Sequence, residues 1–524
     1  MSADHIVAID VGTQSARALV VAPDGAIVAL ARVPFAPYVS PRPGWAEQDP
    51  EVYWSALGEA CRRVLADPAV RPDSLAGVAL TTQRGTVVVT DEAGRPLRPA
   101  ITWLDDRRTE GLAPFGGVGG VTALGFRLLG LRDTIETFAA ACEAGWLRAN
   151  DPETWARIRR YLFLSGFITH RLTGRFVDAT AAQVGYVPFD YRAFRWAKPG
   201  DWRWTVAPVD PAWLPDLVPP TGRLGEITTA AAAATGLPAG LPLIAAAADK
   251  ACEILGSGAI SPEIGAISFG TAATVNTTMR RYVEAVPLIP PFPSAVPGAY
   301  SLEIQVYRGY WMVEWFKREF AAAEVARAET LGIAPEVLFD ELAASVPAGS
   351  MGLLLQPYWS PGVRIPGPEA KGAIIGFGDV HTRAHVYRAI LEGLAYALRD
   401  GLERTARRTG VTPTSLRIAG GGSQSPAAVQ LTADVFGLPV ARGVTHEASG
   451  LGAAIDAAVG LGIHRDIESA VAAMVHIGEV RDPDPADHAR YDELYRVVYR
   501  RMYGRLRPLY RDIRRITGYP PGGR

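Results

Sequence analysis

A short pattern occurs twice in this chain, about half a chain apart, and it limits the folds open to it. Near the N-terminus a hydrophobic run ends in an acid and a tight turn, Ile9-Asp10-Val11-Gly12-Thr13-Gln14-Ser15, then re-enters an apolar run from Ala18 to Val21. Between Ile267 and Asn276 the same shape returns as Ile-Ser-Phe-Gly-Thr-Ala-Ala-Thr-Val-Asn. The Gly-Thr pairs match, and Asp10 aligns with Ser268. Glycine lets the backbone turn sharply and bring N–H groups near an oxyanion, and the hydroxyls add donors. A carboxylate at the end of a strand can hold hydrated Mg2+. Either segment alone reads as an ordinary hairpin with a capping acid. Their repetition predicts duplicated halves that face one phosphorylated ligand, with one half carrying the metal. The G-x-x-x-x-G-K-[ST] phosphate loop is absent.

At 524 residues the chain exceeds what one core usually serves, so two or more domains are expected. A net charge of -1 favours neither nucleic acid nor an anionic membrane as partner. Cys61, Cys142 and Cys252 show no pair or ligand spacing, which fits a reducing cytoplasm and no zinc site. The start, Met-Ser-Ala-Asp-His, lacks a basic leader, and the alanine run from Ala230 to Ala248 is broken by Gly and Pro, so neither a signal peptide nor a membrane span is expected. Pro520 to Arg524 reads as disordered, and the arginines from Arg500 to Arg515 as the solvated face of a closing helix. Lysine is scarce: Lys198, Lys250, Lys317 and Lys371 are the full set.

Periodicity and turn residues predict strands at 6–10, 18–21 and 26–33, a helix over 50–65, and strands at 75–81 and 85–90. Helical patterns follow from Asp151, through Trp155, Ile158 and Leu162, and again over 165–172, stopping at Gly174. Residues 188–220 read as surface loops, and 227–235 as a helix. The strand 243–247 and helix 249–255 precede the second hairpin. Further on, helices are expected over 310–322, 385–409, 426–436 and 448–459, with a strand at 416–419. This succession predicts an α/β protein with mixed sheets, divided near residue 257 into 1–257 and 258–524.

Three further segments bear on chemistry. Asp249 ends an uncharged run, Leu243 to Ala248, where a carboxylate can cap the following helix or take the proton of an attacking hydroxyl. Gly420-Gly421-Gly422-Ser423-Gln424 follows a strand and precedes a helix, so its backbone can approach a base or ribose. Thr81-Thr82-Gln83-Arg84, with Trp103, Asp105, Asp106 and Arg107, offers amides, carboxylates and guanidinium groups beside an indole, as a polyhydroxylated ligand requires; a surface salt-bridge knot is the plainer reading of its charges.

Taken together, Asp10-Val-Gly-Thr-Gln-Ser15, Trp103-Leu-Asp-Asp-Arg107, Asp249 ahead of Gly256-Ser-Gly258, Ser268-Phe-Gly-Thr271, Gly372-Ala-Ile-Ile-Gly376, Ile418-Ala-Gly-Gly-Gly-Ser423 and Glu447-Ala-Ser-Gly-Leu-Gly-Ala-Ala454 resemble, in order, the FGGY family of carbohydrate kinases, within the actin/hexokinase/Hsp70 ATPase superfamily. The resemblance implies two actin-like (ribonuclease H-like) domains with mixed sheets flanked by helices and an ATP cleft between them, followed by a C-terminal helical extension. It implies ATP and Mg2+ as cofactors, Asp249 as general base and Asp10 as the metal organiser. Thr13, Gln14, Ser15, Gly270 and Thr271 would approach the phosphates, and Gly421, Gly422 and Gln424 the adenosine. Gln83, Arg84, Trp103, Asp105 and Lys250 would line the site of a small sugar or polyol, most simply a pentulose. The expected partner is that small molecule, with a homodimer left open.

The sequence departs from the family pattern at two places. Glycerol kinases carry Gln-Arg-Glu-Thr where this chain has Gln83-Arg84-Gly85-Thr86, and xylulokinases carry Met-His-Gly near this strand and Asp-Asn at the base, where this chain reads Asp249-Lys250. Glycerol, a tetritol or an aldonate are the alternative acceptors. An actin-like ATPase and a non-catalytic sugar sensor are the alternatives of another class; the first has no use for the Trp103–Arg107 cluster, and the second none for both Asp10 and Asp249.

Overall fold

The structure is a computed structural model that describes residues 3–286, 289–362 and 365–519. Pro520 to Arg524, expected to be disordered, lie outside the described residues.

Two mixed sheets organise the chain. The first uses β1 (His5–Val11), β2 (Ser15–Val21), β3 (Ile27–Pro34), β4 (Leu75–Thr82), β5 (Arg223–Glu226) and β6 (Pro242–Ala245), in the order β5-β6-β4-β1-β2-β3. The second uses β7 (Ile264–Phe269), β8 (Ala273–Met279), β9 (Phe292–Pro293), β10 (Tyr300–Val306), β11 (Ser415–Ala419), β12 (Val440–Gly443) and β13 (Ile477–Arg481), in the order β9-β10-β8-β7-β11-β12-β13. In both, the first three long strands form an antiparallel meander, and two later strands add in parallel beside the first. The duplication seen in the hairpins is therefore a duplication of whole sheets.

Sequence accounts for most of these elements. The β1 strand is buried along nearly its whole length, as a central strand covered on both faces must be, and it reads as a continuous apolar run. Helix α1 (Pro50–Leu65) starts where expected, with Asp49 as N-cap and proline at the first helical position, and buries Tyr53, Trp54, Leu57 and Cys61. One expectation fails. The helix from Pro152 ends at Arg157, and Arg160–Phe163 is a strand, paired antiparallel with Val87–Thr90. Tyr161, Leu162 and Phe163 are all buried, and a short run apolar on both faces does not distinguish strand from helix by period alone. This strand belongs to a four-stranded sheet with Glu47–Gln48, Ala100–Ile101 and Val87–Thr90, which carries the Trp103–Arg107 turn beside the first sheet.

Helix α2 (Asp249–Gly256) leaves the first sheet at β6, and helix α3 (Ala448–Gly460) comes from the second half of the chain. Yet α3 packs on the first sheet, where Leu451, Ala454, Ile455 and Ala458 share one core with Ile6, Ala8, Leu19, Val21 and Ile244. Residues 467–474 join that core, and His464 and His476 hold the turn after β2 through the carbonyl oxygens of Pro23 (2.7 Å) and Asp24 (2.8 Å). The α2 and α3 backbones touch because glycine faces the contact: a Cβ on Gly452 would lie 1.9 Å from the Cys252 carbonyl oxygen, and one on Gly256 2.0 Å from that of Ala448.

Gly452→Val is expected to destabilise the protein by ~2 kcal/mol or more, because backbone and not a flexible side chain blocks the added carbons. Gly504→Ala, in a helix where a Cβ meets nothing within 4 Å, should be neutral or stabilising by up to ~1 kcal/mol. Denaturant titration of both variants checks the pair; equal stabilities would remove the close-contact argument.

Candidate active site

Asp10 lies one residue from the end of β1, and strand pairing sets Arg17 directly across from it on β2. An Arg17 guanidinium nitrogen stands 3.3 Å from Asp10 Oδ2 and 3.3 Å from Glu447 Oε2, just before α3. The other oxygen of Asp10 is buried without a hydrogen-bond partner. Burial pushes the Asp10 carboxyl up to about 7; Arg17 opposes this, and Asp249, Glu447 and Glu253 add to it. Of the other hairpin residues, Gln14 is exposed and Thr13 partly exposed at the turn, while Ser15 is buried at the start of β2. The Gly12 N–H closes the turn on the Ser15 carbonyl at 3.0 Å.

The second hairpin presents Gly270 and Thr271 at the surface, braced by backbone bonds from Gly309 to Thr271 (2.9 Å) and from Tyr310 to Gly270 (3.0 Å). Asp249 opens α2 between the two hairpins. Its Oδ1 accepts the Lys250 N–H at 2.7 Å. Burial raises the Asp249 carboxyl above its ordinary value, against the pull of Lys250 and Arg84. Lys250 does not turn toward Gln83, Arg84 or Trp103. Its Nζ donates to Ser268 Oγ at 2.6 Å and to Glu253 Oε2 at 3.1 Å.

On the expected acceptor side, Gln83 Nε2 donates to the Tyr53 hydroxyl at 3.1 Å, and Gln83 Oε1 is buried with no hydrogen-bond partner. Trp103 is about two-fifths exposed, and its Nε1 donates to Thr13 Oγ1 at 3.1 Å, which joins the acceptor wall to the first hairpin. Arg84 reaches the other domain: it pairs with Glu303 on β10 at 2.5 Å and stacks on Phe292. Asp105 was expected to meet the sugar, but its carboxylate is committed elsewhere. Both oxygens accept from the Arg107 guanidinium at 2.7 Å, and Oδ2 also accepts the Ala46 N–H. Arg107 lies between the rings of Trp45 and Trp146, so the charges form a buried brace beneath the Trp103 turn and not a surface knot.

Gly420 to Gln424 follows β11 as a tight helical turn. Gly420 has φ +83° and sits on the Phe269 backbone, where a side chain would collide. A Cβ on Gly422 would strike the Tyr310 ring at 2.2 Å, and one on Gly421 would meet nothing. Gly421 and Gln424 are exposed at this edge, and Ser425 beside them donates to Asp340.

Comparison with known proteins matches residues 5–256 to the N-terminal domain and 265–461 to the C-terminal domain of the FGGY family of carbohydrate kinases. The chain belongs to that family. It is an ATP-dependent carbohydrate kinase with a two-domain actin-like fold. A xylulose kinase of Lactococcus lactis is 28% identical over 95% of this chain and 96% of its own. A glycerol kinase of Rhodospirillum rubrum is 30% identical over 87% and 90%. The crystal structure of a xylulose kinase from Rhodospirillum rubrum superposes with a TM-score of 0.78 at 28% identity, covering 97% of this chain and all of that one.

Arg17, Glu303 and Tyr310 escaped the sequence reading. Arg17 was accessible to it, since counting around the hairpin sets it opposite Asp10. Glu303 was not: it reaches Arg84 across 219 residues and belongs to no local motif. The donor set fits Mg2+. Asp10 offers a buried, unpartnered oxygen amid carboxylates whose mutual repulsion a cation would relieve. Among the described residues no group of three or more His, Cys, Asp or Glu side chains is placed to hold a metal ion.

A carboxyl raised in the native state keeps its proton where the unfolded chain has lost it, so Asp10 costs stability as pH rises from about 4 to 7. Without divalent cation at pH 8, Asp10→Asn should therefore stabilise the protein by ~1–3 kcal/mol, less than the full shift implies because Arg17 loses its partner. The gain should vanish near pH 4. Thermal unfolding across pH checks it; a destabilised variant at pH 8 would contradict the sign.

Proposed function

We propose that this kinase transfers the γ-phosphoryl group of ATP to a hydroxyl of a pentulose or closely related polyol, with Asp249 as general base. The observation that carries the reading is the placement of Asp249: a half-buried carboxylate at a helix start, in the fields of Asp10 at the first hairpin and of Arg84, and next to Lys250, which bonds Ser268 at the second hairpin. Relatives named xylulose kinase and glycerol kinase bracket the acceptor class. Gly85 favours the larger acceptor. Its φ of +70° suits glycine, and a Cβ there would lie 3.5 Å from Trp103 Cβ, so the turn leaves beside the indole the space a glutamate would fill in a glycerol kinase.

In this reading Trp103 stacks on the apolar face of the acceptor while Gln83 and Arg84 read its hydroxyls. Asp249 accepts the proton of the attacking hydroxyl, and its raised affinity for that proton makes it a stronger base than an exposed carboxylate. Thr13, Gly270 and Thr271, with Arg17, hold the phosphates in line with the acceptor. Asp10 would hold Mg2+, which when bound screens the phosphate charge. Gly421, Gly422 and Gln424 flank the adenosine. The bodies built on the two sheets close on one another and exclude water, residues 448–474 going with the first sheet and the Arg84–Glu303 pair crossing between them. A cytoplasmic setting agrees with three buried free thiols, and among the described residues no helix is long and apolar enough to cross a membrane.

A phosphorylation panel of ketopentoses, pentitols, tetritols, aldonates and glycerol should give its highest kcat/KM with a five-carbon acceptor; ADP release stimulated only by glycerol would reject the pentulose reading. Asp249→Asn should lower kcat by ~10²-fold or more with nucleotide binding intact, and near-normal turnover would remove Asp249 as base. Gly85→Ala, whose Cβ would meet Trp103 Cβ at ordinary contact distance but which is strained at a φ of +70°, should cost about 1 kcal/mol of stability in denaturant titration and leave the KM for ATP unchanged.

A further inference from the structure

We infer that Lys250 is a phosphate-binding residue, which sets a fixed positive charge at the second Gly-Thr hairpin where the first hairpin relies on a carboxylate-held cation. The inference rests on the kinase reading above and assigns to one of its ligands a side chain that sequence places beside the other.

The geometry starts with Ser268. It stands on β7 as Asp10 stands on β1, at the end of the strand that pairs antiparallel with the next and parallel with a later one: Asp10 is across from Arg17 and Thr81, and Ser268 from Thr274 and Ala419. Asp10 can carry a divalent ion. Ser268 has no charge to do so, and the Lys250 ammonium lies 2.6 Å from its hydroxyl, two residues before Gly270-Thr271. Each half of the duplicated site would thus have its own cation, a metal held by Asp10 on one side and the Lys250 side chain on the other.

The valence of the ammonium leaves room for the ligand. It has three N–H donors, of which Ser268 and Glu253 take two, and the side chain is about one-fifth exposed, so the third is not sealed in protein. The groups facing it are Glu253 and Asp249, with Asp10 beyond them. Without Lys250 the second hairpin would offer a polyphosphate only neutral donors above an acidic floor. A compact ammonium is suited to the oxygens on which charge gathers during phosphoryl transfer.

A simple strut is the competing role, since a bond from α2 to Ser268 would also fix the two domains. A strut needs a donor and no charge, and this separates the two. The probes are Mg2+ complexes of AMP-PNP (a non-hydrolysable ATP analogue) and of ADP, titrated by calorimetry without acceptor at several salt concentrations. Lys250→Gln should weaken AMP-PNP binding by ~10-fold or more and flatten its salt dependence, with a smaller loss for ADP. Lys250→Arg, which keeps the charge and guards against a folding defect, should stay within ~3-fold of the wild type, as should Ser268→Ala, which removes the hydroxyl partner alone. Unchanged AMP-PNP affinity in Lys250→Gln, or a Ser268→Ala loss as large as the Lys250→Gln loss, overturns the inference. So does a Lys250→Gln defect confined to the acceptor KM. Wild-type protein that binds neither nucleotide would instead defeat the kinase reading itself.

Discussion

Asp10 lies in the fields of three other carboxylates, Asp249, Glu253 and Glu447, and the cations around them offset the repulsion. Arg17 stands between Asp10 and Glu447, Lys250 answers Glu253, and Arg84 lies near Asp249 with Glu303 on its other side. Burial raises Asp10 and Asp249 despite these cations. An apolar patch in the same place would give a more stable protein. A cation bound beside Asp10 would relieve that repulsion.

Holding that cluster requires both halves of the chain. Glu447 arrives from the second half because α3 crosses to cover the first sheet, and α2 meets it through Gly256 and Gly452. A larger residue at either glycine would push the helices apart and draw Glu447 away from Arg17. The small-residue character of Ala448 to Gly460 is thus part of the electrostatics. It sets how closely two charged helix starts approach the same hairpin.

Local signals made the two hairpins, Asp249 and the glycine turn legible in the sequence, because each needs a residue type that few other settings tolerate. The covering of the first sheet by α3 was not legible, since packing partners leave no mark in periodicity. The setting of Asp105 was hidden for a related reason: its type suits a sugar hydroxyl, but its carboxylate bonds Arg107, and Trp45 and Trp146 close around that guanidinium from separate segments. The 158–163 segment was misread because strand pairing with Val87–Thr90, not intrinsic preference, decides its state.

Lys250 shows how chain neighbours part in space. Successive residues of a helix point about 100° apart, so Asp249 and Lys250, adjacent in the first turn of α2, face different walls of the cleft. Asp249 stays within the field of Arg84, on the acceptor side, while the Lys250 ammonium lies against β7 of the other domain. By placing lysine there, this chain divides the neutralisation of the phosphates between an ion that can leave and a side chain that cannot. Any shift of α2 against β7 as the domains close would therefore move the Asp249 carboxylate and the Lys250 ammonium together.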